Sequence, residues 1–464
     1  LYPKIPPFQG AFSLWQIDPV EAKCIELRKL LADSEPLLTD EIISTCITRE
    51  NLLLFLESFG RDYTKNFPVL HSPTFSLSTT PPILLIAMFC VGACYCEGTV
   101  PPTYIFKIAM RVLMMIAHQP HEVNMQGPSL STIQASCFLC PVLICSRDEI
   151  ACNFVAVHFA RNFSMAKRAG VFEPEERIDY NSLTDETFNW QEWIERESRK
   201  RIGCAIFTQD VAGSIFQGGI PSMSPLDFDV ELPCYESCWE ATSASECLKR
   251  LKSMPQQPLV STVMHQLRST QNPTSSILEV SGFGMFTLLK GLHCLVWQVT
   301  HYDMEPALDL NGCHSAASLD EQLSQDLSGQ FVSSLADITI DAHTSQAIKS
   351  VNSALDSWRM IWDARQHREM DHEYATFVLD PLPFWWLAKL YLLLHCAGRS
   401  IKDSSEFANP RSKGLNTAGK IVAMTKIVGW LQRFRRRPDE ATDPRSMNCL
   451  KHLMKPVGGS PPNM

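Results

Sequence analysis

Residues 195–234 read ERESRKRIGCAIFTQDVAGSIFQGGIPSMSPLDFDVELPC. The stretch opens as a helix laced with charge. Glu195 precedes Arg199 by four residues and Glu197 precedes Arg201 by four. That acid-first order is the favourable one for helical ion pairs, worth a few tenths of a kcal/mol each. Ile202, Ala205, Ile206 and Phe207 then supply the apolar continuation of a buried helix. Gly218 and Gly219 end it, and Pro221 and Pro225 prevent its resumption. Asp227 and Asp229 follow in the loop. Two nearby carboxylates serve either as an acid/base pair or as a cap and ion-pair partners for neighbouring helices, and the second arrangement is the commoner one.

Helical periodicity continues on both sides. Asp18-Pro19-Val20-Glu21 predicts a helix start, with a capping Asp, a proline in the first turn and a Glu reaching back. Further helices are expected over 48–59, 82–97, 103–118, 130–146, 151–169 and 276–299. In 344–362, Ile348, Val351, Leu355, Trp358 and Trp362 fall on one face. Ile421, Met424, Val428, Leu431 and Phe434 do the same in 417–434. Residues 382–397, LPFWWLAKLYLLLHCA, are apolar on nearly every side and predict a central helix. Residues 252–275 and 303–330 read as loops. No run alternates as strands do. The expected class is all-α, a large helical domain of packed helix pairs, solenoid-like or bundle-like.

The chain has 464 residues and a formal net charge of -9, with 45% hydrophobic and 20% charged residues, which is the composition of a globular protein with a large core. It opens on Leu1, from which a missing or processed N-terminus is expected, and no signal-peptide layout follows. Its longest apolar runs, such as PPILLIAMFCVGAC (81–94), fall short of the roughly 20 residues a bilayer span needs. No membrane is therefore expected as a partner, and a soluble intracellular protein is. Cysteine is abundant, at 17 residues, but Cys90, Cys94, Cys140, Cys145, Cys204, Cys294 and Cys396 sit in apolar helical runs, as buried free thiols do.

Motifs for chemistry give bland readings. Cys137 and Cys140 lie in an apolar helix, with no second such pair to complete a zinc site. HREMDHEY (367–374) places its histidines five apart, nearly opposite on a helix, and reads as a solvated helix end. GFGMFT (282–287) lacks the third glycine and preceding strand of a dinucleotide loop and reads as helix packing. RFRRRP (433–438) reads as a cationic helix C-terminus. Asn162-Phe163-Ser164 is an idle match to a glycosylation acceptor. The acidic balance argues against duplex DNA binding by this chain alone.

FPVLHSPTF (67–75), LLIAMFCVGACY, the long stretch above and CWEA together resemble the fungal-specific transcription factor domain, the all-helical middle homology region of fungal zinc-finger regulators. Glu197, Arg201, Phe207, Asp210, Gly219, Pro221, Asp227, Asp229 and Pro233 approximate its signature. The ending LPC…WEA is closest to members that follow two-cysteine two-histidine fingers. Gly203-Cys204 and Val211 stand where the family often has an aromatic and an Arg. The resemblance implies a lead-in over 1–40, a regulatory core over 41–250, a linker-like loop over 251–275, a C-terminal half over 276–440 and a tail over 441–464. It implies no catalytic residue, metal or cofactor in this chain. It implies a small-molecule effector or protein co-regulator as partner, a possible homodimer, nuclear location, and DNA contact only through an N-terminal zinc module absent here. The rival expectation is a free-standing relative recruited as a cofactor-independent enzyme of pericyclic or isomerising chemistry. A third is a co-regulator that titrates a DNA-binding relative. The expected pocket is walled by aromatics of LPFWWLAKLY and by the 207–233 turn.

Overall fold

A computed structural model describes residues 18–32, 38–96, 98–118, 128–146, 148–217, 219–269, 279–302, 346–366 and 381–396. The fold is all-α, as the periodicity predicts. Among the described residues there is no strand, and one isolated antiparallel bridge joins Glu231 to Leu259. No helix of these residues is long and apolar enough to cross a membrane.

The chain divides into two compact units. The first takes residues 1–63, 75–123 and 134–155. Within it run α1 (Pro19–Ala32), α2 (Asp40–Cys46), α3 (Arg49–Ser58), α4 (Pro82–Ala93) and α5 (Pro102–His118). Asp18 caps α1 by accepting the Val20 N–H at 3.3 Å, but Glu21 does not reach back and pairs with Arg28 at 3.2 Å. Thr39 and Thr48 cap α2 and α3 through their hydroxyls. After Ser58 the α3 path widens into a π turn, Phe59–Tyr63. Helix α4 is buried from Leu84 to Gly92 and lies at the centre of this unit. Gly92 lets it touch α3, since a Cβ there would lie 1.8 Å from the Phe55 carbonyl oxygen. Phe55 and Phe89 complete the seam edge to face at 4.9 Å.

Helices α6 (Leu130–Cys145) and α7 (Glu149–Arg168) carry residues of both units. Cys137 and Cys140 are buried in α6, and burial pushes the Cys140 thiol up to about 12, away from the thiolate a metal needs. Asn162 is fully buried in α7, where no glycan would fit.

The second unit takes residues 64–74, 124–133 and 156–464. It contains α8 (Trp190–Gln217), α9 (Glu236–Trp239), α10 (Ala244–Ser253), α11 (Val260–Arg268), α12 (Gly282–Tyr302), α13 (Gln346–Gln366) and α14 (Leu382–Cys396). Helix α12 packs against α8, α11, α13 and α14, so it is the axis of the unit. The α13 stripe Ile348, Val351, Leu355, Trp358 and Trp362 is buried as its spacing predicts. Trp358 Nε1 donates to Met285 O at 2.9 Å, and Trp385 Nε1 to Leu355 O at 2.8 Å. GFGMFT is the first turn of α12, with the Glu236 carboxylate accepting the Phe283 N–H at 2.9 Å. It is packing, with no phosphate-loop geometry.

One reading needs correction. Residues 252–275 are not all loop, because α11 occupies Val260–Arg268. Val260, Val263, Met264 and Leu267 form a buried helical stripe that the surrounding Gln, Ser and Thr obscure in the sequence. The predicted segments 303–330, 367–374, 417–434, 433–438 and 441–464 lie outside the described residues.

Candidate functional site

Glu197 and Arg201 stand one turn apart on α8 and face inward. Both are buried, with Arg201 at 0% exposure and Glu197 at 3%. A guanidinium out of water must have its donors satisfied. Arg201 Nε donates to Glu197 Oε1 at 2.8 Å, Nη1 to Pro68 O at 3.0 Å and Nη2 to Cys234 O at 3.0 Å. Its Nη2 also lies 3.6 Å from Cys234 Sγ, and its plane covers the Trp239 ring at 4.4 Å. Glu197 Oε1 accepts a second bond, from the Cys234 N–H at 2.9 Å. One charged pair thus joins α8 to three distant stretches: FPVLH, ELPC and CWEA. These are the separate pieces of the sequence signature.

Aromatic packing closes the lock. His71 lies 4.6 Å from Trp239 and 5.8 Å from Trp190, edge to face, and its Nδ1 meets Thr74 Oγ1 at 2.7 Å. Burial, with Arg201 adding to it, lowers His71 to about 4. The ring is therefore neutral beside the guanidinium at pH 7. Burial also pushes the Cys234 thiol well up, so this sulfur is no nucleophile at rest.

The remaining signature residues are architectural in their contacts. Phe207 stacks on Phe228 at 4.9 Å and 17°. Asp210 Oδ2 accepts the N–H groups of Ser222 at 2.7 Å and Met223 at 3.2 Å, which fixes the turn after α8. Burial raises the Asp210 carboxyl even against those bonds. Gly219 N–H donates to Gly213 O at 3.3 Å in that turn, and Pro221 is half-buried next to it. Pro233 is buried just before the Cys234 contacts. Asp229 does not cap α11, whose cap residue Leu259 has no side-chain cap bond, but accepts from the Ser261 hydroxyl in the first turn of that helix. Asp227 is exposed. The expected Glu195–Arg199 pair is replaced: Arg199 faces Glu175 at 3.7 Å, because residues 175–178 run beside this face of α8.

A cleft lies beside the lock, lined by Tyr180, Trp193, Arg196, Lys200, Glu231 and Gln256, with Glu197 and Cys234 reaching it. Glu231 holds two cations there, Lys200 at 2.5 Å and Arg177 at 3.5 Å. Burial alone would lower Lys200, but the carboxylates of Glu197 and Glu231 outweigh it and keep the ammonium above its ordinary range. Burial pushes the Tyr180 hydroxyl up to about 12. The free space is about 50 Å³, room for a few waters. The cleft shares Tyr180, Met254 and Gln256 with a more open groove of about 440 Å³ that Asp179, Asn181 and Lys252 also line, and ligand pockets usually hold about 300–1,000 Å³. Of the expected pocket walls, this cleft uses Glu231 and Leu232 from the 207–233 turn and nothing from α14.

Sequence reasoning missed Lys200, Glu231, Trp190 and Trp193 as members of one site. Lys200 sits between two residues already singled out, and its solvent-like charge hid its burial. His71 and Trp239 were visible only as letters inside quoted motifs.

Comparison with known proteins places residues 56–360 on the model of the fungal specific transcription factor domain. Transcription factor verF of Penicillium polonicum is 24% identical over 213 residues, covering 43% of this chain and 29% of that protein. Zinc finger protein zas1 of Schizosaccharomyces pombe is 24% identical over 256 residues, covering 53% of this chain and 27% of that protein. Zinc finger protein klf1 of the same yeast is 24% identical over 210 residues, covering 42% and 26%. The match thus spans less than a third of each of these relatives. No solved structure matches.

Proposed function

The chain belongs to the fungal specific transcription factor domain family, and on that premise we propose that it is the regulatory part of a zinc-finger transcription regulator. In this reading it receives a small-molecule or protein signal and controls a DNA-binding module elsewhere in the polypeptide. Nuclear location follows from the same role.

The observation that carries the reading is the Arg201 lock. Glu197 and Arg201 form one buried ion pair and Asp210 anchors one turn, and both reach backbone groups far along the chain. That is the work of a scaffold that holds a shape. The cleft beside it offers a route for a signal, because anything that competes for Glu231 acts on Lys200, the neighbour of Arg201 on α8, and on the stretch that leads into Cys234.

The test is to fuse residues 1–464 to a heterologous DNA-binding domain and measure a reporter in a fungal host. The expected result is reporter output that departs from that of the DNA-binding domain alone and changes with growth condition. Output equal to the DNA-binding domain alone in every condition, with the fusion present in the nucleus, would overturn the proposal.

A further inference from the structure

Away from the lock, α12 carries Phe286, Lys290 and His293 along one face. Lys290 is 2% exposed. Its Nζ lies 3.4 Å from the Phe384 ring centroid, 5.2 Å from Phe286 and 6.0 Å from Phe216. These rings come from α14, α12 and α8. No carboxylate pairs with this amine among the described residues, where every other buried cation of the second unit discussed above has one. Ring quadrupoles recover less than an ammonium loses on leaving water, so burial holds Lys290 well below its ordinary range.

His293, one turn on, is also 2% exposed. Its Nε2 meets Phe384 O at 2.8 Å. A carbonyl only accepts, so Nε2 carries the hydrogen and Nδ1 presents a bare lone pair. That buried Nδ1 has no partner among the described residues. Burial, and then Lys290, lowers His293 to about 3. A desolvated lysine beside an unsatisfied imidazole nitrogen, inside apolar walls, is the setting that makes an amine a nucleophile.

We propose that Lys290 takes up a small apolar aldehyde or ketone as a Schiff base, with Phe216, Phe286 and Phe384 packing its hydrocarbon body and His293 Nδ1 relaying the proton. The nitrogen lone pair attacks the carbonyl carbon and the C–N bond forms. His293 carries a proton from nitrogen to oxygen. The C–O bond then breaks, and the oxygen leaves as water with both amine hydrogens. No oxidant or reductant is needed. A carboxylate fits this box less well, since it needs a charged lysine among three phenyl rings. This chemistry stands apart from the regulatory reading and holds whether or not the chain controls transcription.

The experiment treats the purified full chain with hexanal or benzaldehyde and cyanoborohydride at about pH 6, where ordinary lysines are almost wholly protonated. Peptide mapping then locates the reduced adduct. The expected result is Lys290 labelled at least about tenfold above the mean of the other lysines. The Lys290→Met chain should lose that adduct, keep the background labelling and unfold at no lower urea concentration than wild type. Mapping of the wild-type chain decides the matter even if the variant does not fold. Labels confined to exposed lysines, with Lys290 unmodified, would overturn the proposal and leave a water bridging Lys290 and His293 as the occupant.

Discussion

Replacing Arg201 by Ala should unfold the second unit at far lower denaturant. The change removes a donor set that satisfies Glu197 Oε1, Pro68 O and Cys234 O at 2.8, 3.0 and 3.0 Å. Each bond to a charged group is worth about 1.5–3 kcal/mol, and the stacking on Trp239 adds about 1 kcal/mol. Water entry and relaxation recover part of that sum. What remains is the cost of a carboxylate stranded at 3% exposure, typically about 3–5 kcal/mol. A domain holds only about 5–15 kcal/mol in all, so Arg201→Ala consumes much of it. Equilibrium urea melts followed by tryptophan fluorescence read this directly, since Trp239 lies under the guanidinium. Glu197→Ala and the double variant complete the cycle. The double variant should be less destabilised than the sum of the singles by about 2 kcal/mol. A loss under about 1 kcal/mol for Arg201→Ala, or a strictly additive cycle, would refute the reasoning, because both are the behaviour of an exposed pair.

Other outcomes follow from the same structure. Asp210→Ala should cost about 2 kcal/mol by freeing two turn N–H groups, while Asp210→Asn keeps an acceptor and stays within about 1 kcal/mol of wild type at pH 7. Because burial raises the folded Asp210 carboxyl, its contribution is largest below the unfolded value and falls as pH rises through the folded one; the Asn variant should lose that dependence in melts. His71 goes the other way: held at about 4 against an ordinary 6.5, it excludes a proton from the folded state, so stability is full above 6.5 and falls as pH drops toward 4. Melts across that window should show the slope, and His71→Gln should flatten it. Gly92→Ala should destabilise the first unit by about 3 kcal/mol, since the new Cβ meets the Phe55 backbone, whereas Gly60→Ala, with nothing within 4 Å, should be near neutral by thermal melt.

Much of this was legible in the residues. Helix positions came from periodicity, the α13 stripe is buried as read, and α14, apolar on nearly every side, is buried over residues 382–389 and at Leu392. The Glu197–Arg201 spacing gave the pair. Burial of the pair was not in the spacing, because Glu195 and Arg199 share it and end up on different terms. What separates them is which face of α8 meets FPVL and ELPC, a long-range fact. The α11 stripe was lost among polar neighbours, and the cleft was assigned to α14 because aromatic density there is conspicuous. Of those aromatics Phe384 packs instead against Lys290, together with Phe216 and Phe286, and no local pattern announces that this lysine lacks a counter-charge among the described residues.

The central claim is that the family signature is a lock joining three distant segments to α8. Hydrogen exchange of the wild-type and Arg201→Ala chains, read by mass spectrometry, tests it most directly. Peptides covering 64–74, 230–235 and 236–241 should lose protection together in the variant, by a similar factor, under conditions where α12 stays protected. Unchanged protection in 64–74 and 230–235, with exchange altered only around position 201 of α8, would contradict it.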